Sequence, residues 1–298
     1  MIIPLPEPFD TDKTLAFLRA SSLRTPYRFF ERRVRRHLRV HDTALVVEFD
    51  FTKPGRLRLK AFDRAGVAFP HPDWTELQRI STFIWGLDDD LGRCYDILNK
   101  DSRLAQLVQR YAGLRMIRAP DLYEALLTAV LGQQVSVAAG AAIRRRFLEE
   151  LGDRIVVDEE EYLNYPPPRR LLSVHPAKLL RCGISRQKAR YLLEIAERAA
   201  AGALEESTFA GLSDEAAIAK LMEIPGVGRW TAEVVLMRGL GRLDVFPAAD
   251  LGLIVAVQRL RRLKARPTEQ VLRKIAERWK GWRSYAALYL WATLGGGV

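Results

Sequence analysis

The distribution of apolar and polar residues along the chain changes character near residue 112. Before it the pattern is mixed. Asp12 to Ala20 predicts a short helix, and Tyr27 to Phe30, Ala44 to Phe51 and Arg56 to Phe62 predict strands. The last alternates basic and apolar residues, as an antiparallel strand with one buried face should. Lys53-Pro54-Gly55 supplies a turn between the second and third strands. Helical periodicity follows near Asp73 to Leu87 and Ser102 to Ala112. From Ala119 onward almost everything reads as helix. One helix opens at Pro120-Asp121 and runs to about Leu131, and another covers Ser136 to Glu150. Others begin near Pro176, Arg186, Ser213, Arg229, Leu251, Thr268 and Trp282. Residues 153–168 lack periodicity and end in Pro166-Pro167-Pro168, which predicts a loop within the helical region. The expected fold is α+β: an N-terminal antiparallel β-sheet domain with helices over 1–112, then an all-helical region over 113–298.

Composition narrows the class. The 298 residues are 48% apolar, enough for a sizeable core. The net charge is +11, mostly from arginine, which points to phosphate or another acidic partner. No apolar run reaches the roughly 18 residues of a membrane span, and the N-terminus lacks a signal-peptide pattern. Cys94 and Cys182 are too few and too distant for a disulfide framework, a zinc ribbon or an iron–sulfur cluster. A monomeric cytoplasmic protein that meets nucleic acid rather than membrane is expected. The strand arginines read first as a solvated sheet face and second as a surface toward DNA.

The sharpest local signal is Leu221-Met222-Glu223-Ile224-Pro225-Gly226-Val227-Gly228-Arg229-Trp230-Thr231-Ala232. A helix ends at Ile224, a Pro-Gly-x-Gly turn follows, and a new helix starts near Arg229. Glycine suits the backbone of such a turn and lets it approach a ligand closely. The N–H groups of the turn and of the new helix start then face an anion, as a helix-hairpin-helix holds DNA phosphate without reading sequence. A similar turn, Cys182-Gly183-Ile184-Ser185-Arg186-Gln187-Lys188-Ala189, lies earlier in the chain. Further on, Asp244-Val245-Phe246-Pro247-Ala248-Ala249-Asp250 leads into an apolar helix. That places Asp250 at or beside a helix N-cap, where backbone N–H groups and the helix dipole favour its ionised form. Alone, this is an ordinary capping aspartate; its position after the hairpin gives it interest.

Together these segments resemble the helix-hairpin-helix DNA glycosylase superfamily, and within it the bacterial DNA-3-methyladenine glycosylase II type. The resemblance rests on Leu131-Gly132-Gln133-Gln134-Val135-Ser136-Val137-Ala138, the hairpin through Ala232, Phe246-Pro247 through Asp250, and Trp282-Arg283-Ser284-Tyr285-Ala286 through Trp291. It spans roughly residues 115 to 294. It implies two helical subdomains flanking an active-site cleft, double-stranded DNA as partner, and release of a flipped-out damaged base. Asp250 is the implied catalytic carboxylate, which stabilises an oxocarbenium-like sugar or activates water. Gly226, Val227, Gly228, Arg229 and Thr231 are the implied phosphate-binding residues, and Gln134 the residue that enters the duplex. Trp230, Trp291, Val234 and Leu251 line the implied base pocket; Val234 and Leu251 stand where relatives often carry aromatics. The Trp282, Tyr285 and Tyr289 face packs inside. No cofactor is required, but backbone carbonyls of Met222, Ile224 and Val227 form an implied monovalent cation (Na⁺ or K⁺) site.

Relatives that also cut the strand carry a lysine nucleophile where this chain has Trp230, so hydrolysis without lyase activity is expected. The expected substrates are N3- or N7-alkylated purines, whose positive charge makes the base a good leaving group without a general acid. The competing readings are a non-enzymatic helix-hairpin-helix DNA-binding module and a glycosylase for oxidised purines. A member of the iron–sulfur branch, acting on adenine mismatches or pyrimidines, is disfavoured by the cysteine count.

Overall fold

The computed structural model describes residues 1–41 and 43–295. Seven strands are present: β1 (Ile2–Pro4), β2 (Tyr27–Phe30), β3 (Arg33–Val40), β4 (Thr43–Asp50), β5 (Arg56–Phe62), β6 (Asp153–Val157) and β7 (Glu160–Asn164). The helices before the hairpin are α1 (Thr11–Ala20), α2 (Trp74–Ile84), α3 (Leu91–Leu98), α4 (Ser102–Arg110), α5 (Leu122–Gly132), α6 (Val137–Leu151), α7 (Pro168–Leu172), α8 (Pro176–Arg181), α9 (Arg186–Ala200) and α10 (Asp214–Met222). After it come α11 (Arg229–Gly239), α12 (Leu251–Arg261), α13 (Glu269–Ala276) and α14 (Arg283–Ala292).

The first five strands form one antiparallel sheet in the order β1-β5-β4-β3-β2. The fold class is therefore α+β as expected, but the sheet is larger than the apolar pattern predicts. Strand β3 reads Arg-Val-Arg-Arg-His-Leu-Arg-Val, and its cations hide the alternation. They are tolerated because they are paired. Arg36 is fully buried, donates to Glu124 on α5 at 2.7 Å and to the Tyr27 hydroxyl at 3.2 Å. Arg39 donates to Asp153 at 2.7 Å. On β5, Arg58 is paired with Asp50 at 2.6 Å and Lys60 with Glu48 at 3.3 Å. That face is thus an ion-paired sheet surface.

Residues 153–168 also depart from expectation. They are not a structureless loop: β6 and β7 form a hairpin whose turn residues, Asp158 and Glu159, both have left-handed φ, 52° and 66°. Ile155, Val157 and Tyr162 point one way and pack on Ala44 and Val46 of the main sheet. The proline run follows the hairpin, and Pro168 opens the short α7.

Besides this small cluster, two larger apolar cores form among the described residues. One lies under the five-stranded sheet and includes Leu38, Val47, Phe49, Leu57 and Trp85. The larger one unites the helices from α5 onward and also takes in Leu91, Cys94, Leu104 and Val108. The helices α3 and α4, which precede residue 112, therefore share the core of the C-terminal region. The two halves are tied by Asp89, which accepts from Arg118 at 2.7 Å and from the Tyr285 hydroxyl of α14 at 2.6 Å. Tyr285 and Tyr289 are fully buried, as the family pattern implied for that face. Both cysteines are buried and free. Among the described residues, no helix is long and apolar enough to cross a membrane.

The Arg36–Glu124 pair joins sheet to helical core with both groups desolvated. Removing one partner strands the other charge. Glu124→Leu alone is expected to destabilise by about 3–5 kcal/mol, and Arg36→Met with Glu124→Leu to recover most of that loss. Urea unfolding of both variants and wild type measures this; equal losses in single and double variants would show that the pair itself is not what couples the layers.

Candidate active site

The site is built at three chain reversals. The first is the start of α12. Asp250 is its N-cap and accepts from the Leu253 backbone N–H at 2.9 Å. The same oxygen accepts from the Trp291 indole N–H at 2.9 Å, and the second oxygen from the Trp230 indole N–H at 3.2 Å. The carboxylate is 7% exposed. Its three donors are all neutral, and among the described residues no cation is paired with it. A carboxylate held this way keeps its full charge available to whatever approaches, whereas an ion-paired one would be partly quenched.

The second reversal is the hairpin between α10 and α11. Gly226 has φ +84° and lies against the Tyr191 ring: a β-carbon there would stand 2.2 Å from it. Gly228 is different. It has no left-handed strain, and a β-carbon would meet nothing within 4 Å. It is the N-cap of α11, and no side chain caps that helix. The N–H groups of the first turn therefore face outward, the arrangement that receives phosphate. Arg229 and Thr231 hold the hairpin from within. Arg229 is paired with Glu215 at 2.6 Å and with buried Glu233 at 3.1 Å. The Thr231 hydroxyl is buried and accepts from the Gln133 side chain at 2.9 Å.

The third reversal joins α5 to α6. Gln134 is exposed there and adopts left-handed φ, +54°, which is uncommon for a residue with a β-carbon. Val135 and Val137 beside it are exposed apolar residues. Gln133, one position earlier, points inward and donates to the Gly226 carbonyl and to Thr231, both at 2.9 Å. Lys188, at the start of α9, donates to the Gln133 carbonyl at 2.6 Å, and burial lowers its amine below the usual lysine range. The earlier turn is a second hairpin of the same form: Gly183 has φ +82°, and α9 starts at Arg186 as α11 starts at Arg229.

Beside the hairpin and the turn at Gln134 lies a small, mainly apolar recess walled by Trp230, Val234, Thr128, Val135 and Leu23; Trp230 links it to Asp250. It holds two of the four residues expected to line a base pocket. Leu251 stands outside it as an exposed residue, 61% accessible, beside Asp250. Trp291 is 1% exposed, its ring buried and its N–H spent on Asp250, so it positions the carboxylate. Sequence reasoning missed the inward role of Gln133 and the part played by Lys188. The similarity of the two turns was the available signal, since Lys188 and Thr231 occupy equivalent places in them.

Met222 is the last residue of α10, and Ile224 and Val227 lie in the hairpin that follows. Ile224 already accepts from the Val227 N–H at 3.0 Å. Among the described residues, no group of histidine, cysteine, aspartate or glutamate side chains is placed to hold a metal ion.

Comparison with known proteins agrees with this geometry. Residues 127–281 match the model of the HhH-GPD superfamily of base excision DNA repair proteins. The chain is 30% identical over 297 residues to a DNA-3-methyladenine glycosylase of Bacillus subtilis (strain 168), covering 99% of this chain and 97% of that one. It is 37% identical to DNA-3-methyladenine glycosylase 2 of Escherichia coli (strain K12) over 64% of each chain. Among solved structures, a 3-methyladenine DNA-glycosylase from Archaeoglobus fulgidus superposes with a TM-score of 0.86 at 26% identity, covering 97% of this chain and 96% of that one. With an uncapped glycine hairpin, a tethered carboxylate beyond it and matches over nearly its whole length, this chain belongs to the HhH-GPD superfamily of base excision DNA repair proteins.

Proposed function

We propose that the chain is a monofunctional DNA glycosylase that removes alkylated purines of the 3-methyladenine and 7-methylguanine class from double-stranded DNA and leaves an abasic site. The observation that carries this is Asp250: a nearly buried carboxylate with neutral donors only, beside a hairpin whose helix start is open to phosphate.

Binding precedes chemistry. The backbone N–H groups at Gly228 and the first turn of α11 take a phosphate, and the net charge of +11 draws in the duplex. The backbone carbonyls of Met222, Ile224 and Val227 are the groups that would hold a monovalent cation, and such an ion would add positive charge at the phosphate-binding turn. The turn at Gln134 enters the duplex as the damaged nucleotide leaves the stack. The flipped base stacks on Trp230 in the recess. As the bond between C1′ and the base nitrogen lengthens, its electron pair leaves with the base and positive charge grows on the sugar. Asp250 stabilises that charge. Water then bonds to C1′, and its proton passes to solvent or through Asp250. An alkylated purine that already bears positive charge leaves as a neutral base, so no general acid is needed.

Trp230 occupies the position of the lysine that would attack C1′. Lys188 is the amine brought nearest to the inserted turn, and its ammonium is tied to two carbonyls, Gln133 at 2.6 Å and Leu131 at 3.3 Å. The buried free thiols fit a reducing compartment, and we place the enzyme in the cytoplasm as a monomer.

Three measurements test this reading. Asp250→Asn keeps an acceptor for Leu253 and one indole but turns an N–H toward the other. It should fold with a loss of about 1 kcal/mol and bind DNA at least as well as wild type, yet release 3-methyladenine about two to three orders of magnitude more slowly in single turnover. Near-normal release would reduce Asp250 to a helix cap. Gly228→Leu should leave the melting temperature unchanged, because nothing lies near its β-carbon, but weaken binding to all duplexes and flatten the salt dependence, whose slope is about −0.9 per phosphate neutralised. Normal affinity in that variant would remove the hairpin as the anchor. Borohydride should trap no enzyme–DNA adduct, and strand breaks should appear only after alkali; an adduct lost in Lys188→Gln would instead identify that lysine as a nucleophile.

A further inference from the structure

The recess contains a charged group that the mechanism above does not use. Arg144, on α6, is 2% exposed and lines the same recess as Trp230. Its Nε and Nη2 have no hydrogen-bond partner among the described residues. Nη1 packs beside Gly132 and Gly140; a β-carbon at either glycine would come within 3.3 Å of it, so small residues make room for the guanidinium at the recess wall. The groups that act on it electrostatically are the Tyr165 phenol and Arg24, and neither is an anion at neutral pH. Burial accordingly pushes its guanidinium below the ordinary arginine range. The other buried arginines among the described residues are engaged: Arg36 with Glu124, Arg118 with Asp89, Arg115 with the carbonyls of Gly86 and Asp89, and Arg238, which lines the same recess, with the Ile117 carbonyl at 2.7 Å. Of these five, Arg144 lines the recess, keeps Nε and Nη2 without a hydrogen-bond partner among the described residues, and has both buried behind the recess wall, where a base that displaces the wall would meet them.

We infer that Arg144 is a specificity-determining residue that donates to an acceptor edge of the flipped base, and that it favours purines with a carbonyl oxygen at C6. This rests on the base-excision reading above. A guanidinium fork matches O6 and N7 of a 6-oxopurine, the same geometry by which arginine reads guanine in a duplex. Hypoxanthine offers both acceptors and is neutral. 7-Methylguanine offers O6. 3-Methyladenine carries an amino group at C6 and a positive charge, and meets a cation with donors on both sides. A buried cation without a partner is costly, so a base that supplies the missing acceptor binds more tightly than its contact area alone would give. The positive group in the recess thus biases the enzyme among lesions that its apolar walls treat alike.

The test compares wild type, Arg144→Met and Arg144→Lys on duplexes carrying a single lesion. Single-turnover release of hypoxanthine and of 3-methyladenine gives a ratio for each protein. The ratio should fall about tenfold or more in Arg144→Met and recover partly in Arg144→Lys. An unchanged ratio overturns the assignment. The melting temperature of Arg144→Met should equal or exceed that of wild type, since an unpaired buried charge is removed; a marked fall would make Arg144 a structural residue and sink the proposal. A second pair of duplexes, with 2′-fluorodeoxyinosine or 2′-fluorodeoxyadenosine, resists cleavage and reads binding alone. Wild type should prefer the inosine duplex and Arg144→Met should not, whereas equal binding by wild type overturns the inference. Because this arm needs no turnover, a wild type that released no base would refute the glycosylase reading without deciding the role of Arg144.

Discussion

A buried carboxylate held only by neutral N–H donors is the constraint around which this site is arranged. Placing Asp250 at the start of α12 gives it one backbone donor and the dipole of the helix, but leaves most of its acceptor capacity unmet. Two indoles from opposite directions supply the rest: Trp230 from α11 and Trp291 from α14. An arginine or lysine there would satisfy the same oxygens but cancel the negative charge. The choice of tryptophan therefore has three effects. It makes the burial tolerable and it leaves the negative charge without a cationic partner among the described residues. It also forces α11, α12 and α14 into one fixed arrangement, which the Asp89, Arg118 and Tyr285 contacts brace from the far end of α14.

The binding and insertion elements are coupled by a single side chain. Gln133 spans from the end of α5 to the hairpin, and its amide meets the Gly226 carbonyl and the Thr231 hydroxyl. Its own carbonyl is held by Lys188 from the other hairpin. Equivalent positions of two similar turns thus grip one residue from two sides. Gln134, immediately next to it, is forced into a left-handed conformation and projects outward. The hairpin before α11 and the turn at Gln134 therefore share one clasp, which couples their positions.

Much of this was legible in the sequence, for reasons that are local. The Pro-Gly-x-Gly turn, the aspartate before an apolar helix and the alternation of β5 all express their structure within a few residues. What was hidden depends on partners far along the chain. Strand β3 reads as a solvated basic run because the acid that neutralises Arg36 lies 88 residues away on α5. The β6–β7 hairpin is concealed by its polar turn and by the prolines after it, and its apolar face is recognisable only against Ala44 and Val46. Arg144 sits among Arg145 and Arg146 in a stretch that suggests a wet helix face, yet its neighbours in sequence point elsewhere and it alone turns inward. The four residues expected to line a base pocket are placed apart. Trp230 and Val234 line the recess, while Trp291 is consumed in holding Asp250.

That last difference bears on how the site sets distance. Trp230 belongs to both halves of the chemistry: it walls the recess and its N–H binds the carboxylate. A purine stacked on its indole would therefore be placed relative to Asp250 by one rigid side chain, with no flexible link between recognition and catalysis. With Val234 in the wall and Leu251 out at the rim, Trp230 is the only aromatic ring lining that recess. Stacking then supplies affinity for any purine that enters, and discrimination falls to what else lines the wall. In a mainly apolar recess, one charged group can change the relative affinity of two bases more than several methyl groups can. On the proposed reading, lesion choice is a question of electrostatics more than of shape.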